Sequence, residues 1–124
     1  VAGFIGLPPM NFFDVEVKNG ELICESFKVA LTPEEKGALE RYEGTTITLG
    51  VRPEDVSEGG DISVNVFSNE NLGQTTLVNG VVGKHRITCK FREWCTYKAG
   101  DTVNVSFKKK HFFDKKTTDA ISLR

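Results

Sequence analysis

Gly83 and Lys84 come closest to a phosphate-binding loop in this sequence of 124 residues. Such a loop has the form G-x-x-x-x-G-K-[ST], in which backbone amides and a lysine surround the phosphates. Here His85 stands where Ser or Thr is required, and Val78 stands where the first glycine belongs. The sequence also lacks a G-x-G-x-x-G segment and a G-x-S-x-G nucleophile elbow. It therefore predicts that this chain is not itself an enzyme and does not hydrolyse nucleotides.

Three cysteines and two histidines are the other candidates for catalysis or metal binding. Cys24, Cys89 and Cys95 form an odd set without a tight pair, and His85 and His111 lie near the last two in the sequence. His85 and Cys89 are four residues apart on a predicted strand, which separates them by roughly 13 Å. Zinc ligands usually come in tighter pairs than these. We therefore expect three reduced, mostly buried thiols, with no disulfide framework and no metal site.

A basic run beside aromatic residues, Lys108–His111 followed by Phe112 and Phe113, is a candidate for nucleic-acid binding. Lysines would neutralise phosphates while aromatic rings stack on bases. However, Phe107 continues an alternating strand pattern toward the core, so the lysines fall at an edge or turn, where they discourage edge pairing. The isoelectric point of about 6.2 also argues against this class. Nucleic acid is therefore not an expected partner.

The two parts of the chain differ strongly in charge although the formal net charge is −1. Residues 1–83 carry 5 Lys/Arg and 13 Asp/Glu, a net charge of −8. Residues 84–124 carry 11 Lys/Arg and 4 Asp/Glu, a net charge of +7. This split is compatible with solvated surface charge, with attraction inside the fold, or with an acidic face meeting a basic face on another subunit.

Strict alternation of apolar and polar residues predicts several short strands with one solvent-facing side. Two Asn-Gly pairs, Asn19-Gly20 and Asn79-Gly80, predict two-residue hairpin turns. The predicted strands cover Val15–Val17, Leu22–Cys24, Phe27–Val29, Ile47–Val51, Ile62–Val66, Thr76–Val78, Val81–Val82, Ile87–Phe91 and Val103–Phe107.

One helix is marked at both ends. Thr32 suits the N-cap, Pro33 the first helical position, and Glu35 completes a capping box. The helix is predicted to run to about Tyr42 and to stop at Gly44. Its packing side would consist of Ala38, Leu39 and Tyr42.

These elements predict an all-β fold with one short helix, a small β-barrel of the oligonucleotide/oligosaccharide-binding (OB) kind. The chain length suits a single domain over residues 1–124. The apolar, Gly/Pro-punctuated residues 1–12 are expected to form a connector, and residues 13–124 the barrel.

The sequence resembles the C-terminal regulatory domain (TOBE/MOP-like) of ATP-binding subunits of sugar ABC transporters, of the maltose and multiple-sugar importer type. The resemblance covers nearly the whole chain. The segments that carry it are Gly3-Phe4-Ile5-Gly6, Pro9-Met10-Asn11-Phe12, Leu49-Gly50-Val51-Arg52-Pro53-Glu54-Asp55, Leu72-Gly73 with Thr75 and Thr76, Gly100-Asp101-Thr102-Val103, and Phe112-Phe113-Asp114.

The resemblance implies a variant of the OB barrel similar to that of molybdate-binding proteins. It implies that an ATPase domain precedes this segment in the same polypeptide, so that ATP and Mg bind there and no cofactor binds here. The implied partners are a second copy, the ATPase domain, the membrane subunits that it contacts, and a regulatory protein. The implied location is cytoplasmic and peripheral, on the inner face of the cell membrane.

Two sets of residues carry the site predictions that follow from the resemblance. The nearly uncharged opening segment is the candidate dimer or regulatory interface: Phe4, Ile5, Pro9, Met10, Asn11 and Phe12. The other motif positions are expected to be structural: Gly50, Arg52, Pro53, Glu54, Asp55 and Gly73. Residues Glu93–Tyr97 do not match the family and are expected to be surface.

Three other functions stay open at this point. A small oxyanion-binding module would need amides and hydroxyl groups that converge at a subunit interface. A nucleic-acid-binding OB domain would show salt-dependent binding. A glycan-binding accessory module would expose several aromatic residues on one strand face, for which Trp94 and Tyr97 are the candidates.

Overall fold

A computed structural model describes residues 10–92 and 96–121 of the chain. The chain divides into two compact units, each of which holds one antiparallel sheet. Among the described residues, the first unit comprises residues 12–50 and 111–121, and the second comprises residues 10–11, 51–92 and 96–110. The prediction of a single domain over residues 1–124 stays a prediction.

Ten strands and one short helix make up the described chain. They are β1 (Asn11–Lys18), β2 (Glu21–Ile23), β3 (Lys28–Ala30), α1 (Pro33–Ala38), β4 (Thr46–Val51), β5 (Val56–Asn71), β6 (Thr76–Val82), β7 (His85–Phe91), β8 (Thr102–Phe107), β9 (His111–Phe113) and β10 (Ala120–Ile121). The strand order is β10-β9-β4-β1-β2-β3 in the first sheet and β7-β6-β5-β8 in the second.

The start of β1 shifts the predicted boundary between connector and sheet. Asn11 and Phe12 already belong to the strand, whereas the sequence placed the connector over residues 1–12. The alternation of buried and solvent-facing residues begins at Asn11, since Asn11, Phe13, Val15 and Val17 are all buried. Residues 1–12 indicated a connector because they are apolar and interrupted by Gly and Pro.

The two Asn-Gly pairs have different outcomes. Asn19 and Gly20 have φ values of 51° and 76° and join β1 to β2, as predicted for a two-residue turn. Asn79 and Gly80 lie inside the continuous strand β6, so the second hairpin prediction is wrong. The chain turns three residues later, at Gly83 and its neighbour, between β6 and β7.

Close packing of strands explains why Gly80 stays extended. A Cβ atom at Gly80 would lie 2.5 Å from the carbonyl oxygen of Asn65 and 2.6 Å from Val64 Cγ1. The strand β5 therefore approaches β6 so closely that only glycine fits at this position. Asn79 adds cross-strand hydrogen bonds to Ser68 and Thr88, which favour the strand over a turn.

The long strand β5 forms the centre of the second sheet. It spans 16 residues and pairs with β6 on one side and β8 on the other. Its register with β8 shifts between Glu58 and Ile62, where Gly59 and Gly60 lie. A second irregularity between Val66 and Ser68 leaves Phe67 as an extra residue opposite β6.

The helix begins where the sequence predicts and ends earlier. The Thr32 hydroxyl accepts a hydrogen bond from the backbone N–H of Glu35, and the Glu35 carboxylate accepts one from the backbone N–H of Thr32. The α-helix ends at Ala38, and a 3₁₀ turn over Glu40–Tyr42 continues it. Gly37 explains the short length, because glycine inside a helix costs about 1 kcal/mol relative to alanine. Gly44 follows with φ 78°, as expected for the stop.

Apolar residues of both sheets alternate as predicted. The buried set of the first unit includes Phe13, Val15, Val17, Leu22, Phe27, Leu31, Leu39, Ile47, Leu49 and Phe112. The buried set of the second includes Val51, Val56, Ile62, Val64, Val66, Val78, Val82, Ile87, Cys89, Phe91, Val103, Val105 and Phe107.

The all-β class with one short helix is thus confirmed. Among the described residues, the hydrogen-bonded strand order closes neither sheet upon itself, so each sheet is open rather than a closed barrel. Within the same residues, no helix is long and apolar enough to cross a membrane.

Candidate functional site

Among the candidate interface residues that the structure describes, Asn11 makes the best-defined contacts. Its side-chain amide donates a hydrogen bond to the carbonyl oxygen of Thr88 at 2.8 Å and accepts one from the Thr88 backbone N–H at 2.8 Å. Thr88 lies on β7, an edge strand of the second sheet, and Asn11 is 8% exposed. The amide therefore occupies the open edge of β7 as the backbone of a further strand would.

Only Met10 and Phe12 of the other predicted interface residues belong to the described part of the chain. Phe4, Ile5 and Pro9 lie outside the described residues. Met10 and Phe12 are half-buried, and the Phe12 ring meets the Phe113 ring edge-on with centroids 6.0 Å apart. The interface assignment of this segment stays a prediction, and Asn11 has an internal structural role in addition.

The Arg52–Asp55 motif forms a short 3₁₀ turn that leads from β4 into β5. Pro53 is buried at the first position of this turn, where its fixed φ suits a helical start. The Asp55 backbone N–H donates to the Arg52 carbonyl at 2.9 Å, and the Asp55 carbonyl accepts from the Lys108 backbone N–H at 2.8 Å. The motif thus ties the start of β5 to the end of β8. The structural role of its side chains stays a prediction.

The two motif glycines lie at ordinary structural positions. Gly50 is buried on β4 and pairs with His111 on β9. Gly73 has φ 88° in the turn between β5 and β6, where the Leu72 backbone N–H donates to the Thr75 carbonyl at 2.8 Å. A left-handed backbone conformation in such a turn favours glycine.

A cleft of about 400 Å³ lies beside the Arg52–Asp55 turn in the second unit. Its charged lining mixes acidic and basic side chains, with Glu54, Asp55, Glu58, Lys90, Arg92 and Lys108 around Phe91. The Glu58 carboxylate accepts a hydrogen bond from the Tyr97 hydroxyl. Because the signs alternate, the cleft does not concentrate positive charge as a phosphate or nucleic-acid site would.

A larger groove of about 820 Å³ lies in the first unit, and sequence reasoning missed it. It is lined by Gly37, Ala38, Arg41 and Tyr42 on one side and by Asp114, Thr117, Asp119 and the residues of β10 on the other. The Tyr42 hydroxyl donates to the Asp114 carboxylate at 3.1 Å. An aspartate followed by Lys-Lys-Thr after a strand is the sequence signal of the turn that supports this groove.

Asp114 acts as the anchor of that turn rather than as a free ligand. Its carboxylate accepts hydrogen bonds from the backbone N–H groups of Thr117 and Lys116 at 3.0 and 2.9 Å. These bonds, together with the Tyr42 hydroxyl, lower the pKa of the Asp114 carboxyl below its ordinary value. The charge of Asp114 is therefore committed to the turn.

The two cysteines that the structure describes are buried rather than open to a substrate. Cys24 and Cys89 are buried free thiols, and Cys95 lies outside the described residues. Burial raises the pKa of the Cys89 thiol to about 12, so the reactive thiolate is suppressed. Within residues 10–92 and 96–121, no three His, Cys, Asp or Glu side chains cluster as a metal site.

Gly83 and Lys84 lie in the turn between two antiparallel strands, and no helix follows them. A phosphate-binding loop needs a helix N-terminus directly after it, so this segment does not fit ATP or Mg. Lys108–Lys110 form the turn between β8 and β9, and Phe107 is buried, as predicted. Of the Glu93–Tyr97 segment, Glu93, Trp94 and Cys95 lie outside the described residues.

Comparison with known proteins supports the resemblance to transporter ATP-binding subunits. Residues 6–56 match the model of the MalK OB fold domain. The chain is 36% identical to the uncharacterized ABC transporter ATP-binding protein YurJ of Bacillus subtilis. It is 32% identical to the multiple sugar-binding transport ATP-binding protein MsmK of Streptococcus mutans and 36% identical to the trehalose/maltose import ATP-binding protein MalK of Thermococcus litoralis.

These similarities extend over 98% of the chain, which spans only 36–37% of the length of those three relatives. The OB-like fold assignment is therefore confirmed, and so is the resemblance to the C-terminal domain of transporter ATP-binding subunits. The chain is thus similar, over nearly its whole length, to the C-terminal domain of ABC transporter ATP-binding proteins that include sugar importers.

Proposed function

We propose that this chain is the regulatory and dimerisation domain of the ATP-binding subunit of a sugar-importing ABC transporter. The observation that carries the proposal is the similarity of 98% of the chain to ATP-binding proteins of multiple-sugar and trehalose/maltose import. In this role the domain holds two ATPase subunits together while their nucleotide sites open and close. It also offers a surface to regulatory proteins.

The catalytic work of the complete subunit falls outside this chain. In this proposal ATP and Mg bind to an ATPase domain of the same polypeptide, and the position of Gly83 and Lys84 in a turn between two strands agrees with this. That domain also makes the contacts with the membrane subunits. The whole subunit is then cytoplasmic and peripheral on the inner face of the cell membrane, and the chain by itself is not an enzyme.

The tether at Asn11 supports this role mechanically. Two hydrogen bonds of 2.8 Å fix Asn11 to Thr88 on β7, which is 77 residues further along the chain. A movement of the ATPase domain would therefore reach the sheet directly through the opening segment. In this proposal Phe4, Ile5, Pro9, Met10 and Phe12 contribute the apolar contact with the other subunit or with the ATPase domain.

Removal of this domain from the complete subunit tests the proposal. The intact subunit is expected to sediment as a dimer without nucleotide, and a subunit that lacks these 124 residues as a monomer that still binds ATP. The intact subunit should remain dimeric without nucleotide because the contact between the two regulatory domains does not depend on nucleotide. A truncated subunit that remains dimeric without nucleotide would contradict the proposal.

A further inference from the structure

The outer face of the four-stranded sheet has a clear pattern of polar, charged and apolar side chains, and it shares Lys90 with the cleft. It is defined by the side chains that alternate with the buried ones on three neighbouring strands. They are Asn65, Phe67, Ser68 and Glu70 on β5, Leu77, Asn79 and Val81 on β6, and Arg86, Thr88 and Lys90 on β7. All ten are half-buried or exposed in the described chain.

Strand register arranges these residues in rows across the sheet. One row runs Glu70, Leu77, Lys90, because Leu77 lies opposite each of the other two. The row therefore has an apolar residue at its centre on β6, an acidic residue on one side and a basic residue on the other. Directly opposed residues on one face lie about 5 Å apart, so the row is compact.

The next row is polar and held in place by hydrogen bonds. Asn79, at its centre, donates from Nδ2 to the Ser68 hydroxyl at 3.3 Å and accepts at Oδ1 from the Thr88 hydroxyl at 3.0 Å. These bonds fix the three side chains before any partner arrives. A surface whose side chains are already ordered loses less conformational entropy on binding.

The third row places Val81 on β6 between Asn65 and Arg86. The Arg86 guanidinium carbon lies 5.6 Å from the centre of the Phe67 ring, so the two side chains stack. Phe67 is 46% exposed, an unusual fraction for a large apolar side chain on a sheet. Exposed aromatic residues and arginine are the types most often found as energetic anchors of interfaces.

The pattern is self-complementary about an axis parallel to β6. A two-fold rotation about this axis stacks β6 of one copy on β6 of the other, so that Leu77, Asn79 and Val81 meet their own counterparts. It brings Lys90 to Glu70 of the partner subunit, and Phe67 to the side of the partner on which Arg86 lies. A two-fold axis across the strands would instead bring Arg86 to Lys90 of the partner subunit, which opposes like charges.

We propose that the outer face pairs with the same face of a second copy about a two-fold axis parallel to β6. This inference rests on the proposed function and adds the outer face, beside the opening segment, as a surface through which the domain dimerises. An isologous contact requires that one patch carry both halves of each interaction. The row of Glu70, Leu77 and Lys90 meets this requirement, with two ion pairs around an apolar centre.

Charge reversal at Lys90 and Glu70 tests the pairing. Lys90→Glu and Glu70→Lys each replace two attractive contacts with two repulsive ones, so either variant should dimerise roughly 10- to 100-fold more weakly at low ionic strength. An equimolar mixture of the two variants restores both attractive pairs and should form a heterodimer. Sedimentation velocity of the 124-residue chain, with one variant fluorescently labelled, measures all three.

Two control variants distinguish the outer face from general surface effects. Lys109→Glu reverses an exposed charge in the β8–β9 turn, and Leu72→Ala removes a side chain that is 52% exposed outside the face. Both should leave the dimer unchanged, whereas Phe67→Ala should weaken it. Thermal unfolding of each variant confirms that these exposed positions leave the fold intact.

The outcomes separate this inference from the proposed function. If the unaltered chain dimerises but the variants at Glu70 and Lys90 dimerise equally well, the outer face is not the contact and dimerisation stands. If the two variants fail to associate when mixed, the ion-pair geometry is wrong. If the unaltered chain is monomeric at every concentration, both the face and the dimerisation role of this chain are overturned.

Discussion

Asn11 offers the sharpest test of how the chain is held together. Asn11→Ala removes both hydrogen bonds to Thr88 and leaves a backbone N–H and C=O at the edge of β7 without their partner. Each net hydrogen bond contributes about 1 kcal/mol, and an unsatisfied, partly buried group adds to the loss. We therefore expect the free energy of unfolding to fall by about 2 kcal/mol.

That loss converts into a measurable shift of the melting temperature. With an unfolding entropy of about 2.1 cal/mol/K per residue, a chain of this length should melt about 8 °C lower. Urea unfolding followed by circular dichroism gives the free energy, and amide hydrogen exchange at Thr88 should lose protection. Asn104→Ala is the matched control, because the Asn104 amide oxygen accepts only an exposed bond from Ser63 and its loss should cost under about 0.5 kcal/mol.

An aspartate at the same position isolates the donor half of the contact. At neutral pH, Asn11→Asp would place a carboxylate oxygen against the Thr88 carbonyl, so it should be nearly as destabilised as Asn11→Ala. The same repulsion raises the pKa of the introduced carboxyl in the folded state, so the deficit should shrink as the pH falls and the donor returns. An Asn11→Ala variant within about 0.5 kcal/mol of the original chain would refute the tether.

Three further predictions concern single positions. Thr32→Ala should cost about 1 kcal/mol in urea unfolding through the lost N-cap. Gly80→Ala should lower the free energy of unfolding by about 2 kcal/mol or more in the same assay, because its Cβ would lie 2.5 Å from the carbonyl oxygen of Asn65. Gly37→Ala should instead stabilise the helix, because its Cβ would meet no atom within 4 Å. Cys89 should resist alkylation by iodoacetamide at about pH 8 until the chain unfolds, because burial raises the pKa of its thiol to about 12. Peptide mass spectrometry measures the alkylation, and a modified Cys89 in the native chain would contradict its burial.

Alternation and capping made most of the fold predictable from the sequence. Ile47, Leu49 and Val51 are each 0% exposed because β4 has the period-2 pattern that its residues indicated. The capping box at Thr32 is equally local, since its two bonds join residues three apart. Such features depend on neighbours in the sequence, so the sequence contains the information needed to predict them.

Features that depend on distant residues were not predictable in this way. Asn19-Gly20 and Asn79-Gly80 are the same dipeptide, and only the approach of β5 makes the second one extended. The Asn11 tether joins residues 77 apart, and the Tyr42–Asp114 bond of the groove joins residues 72 apart. Nothing in the local pattern near Asn11 indicates that its amide replaces a strand partner.

Function was predictable only through family motifs. The Arg52–Asp55 and opening segments indicated the resemblance because their combination and spacing are specific. Their residue types alone do not indicate any chemistry. The self-complementary row of Glu70, Leu77 and Lys90 requires the strand register, in which three separate strands align. Sequence alone assigned none of these residues to a surface.

A chimeric subunit shows whether this chain can serve as the C-terminal domain of a sugar-import ATPase subunit. In the multiple sugar-binding transport ATP-binding protein of Streptococcus mutans, this chain would replace the segment with which it aligns over 98% of its length. Uptake of a radiolabelled sugar is then measured in cells that lack the original subunit, with a subunit truncated before the segment as the control. We expect the chimera to restore uptake and the truncated subunit not to do so. A chimera that is folded, binds ATP and transports no more than the truncated subunit would contradict this expectation.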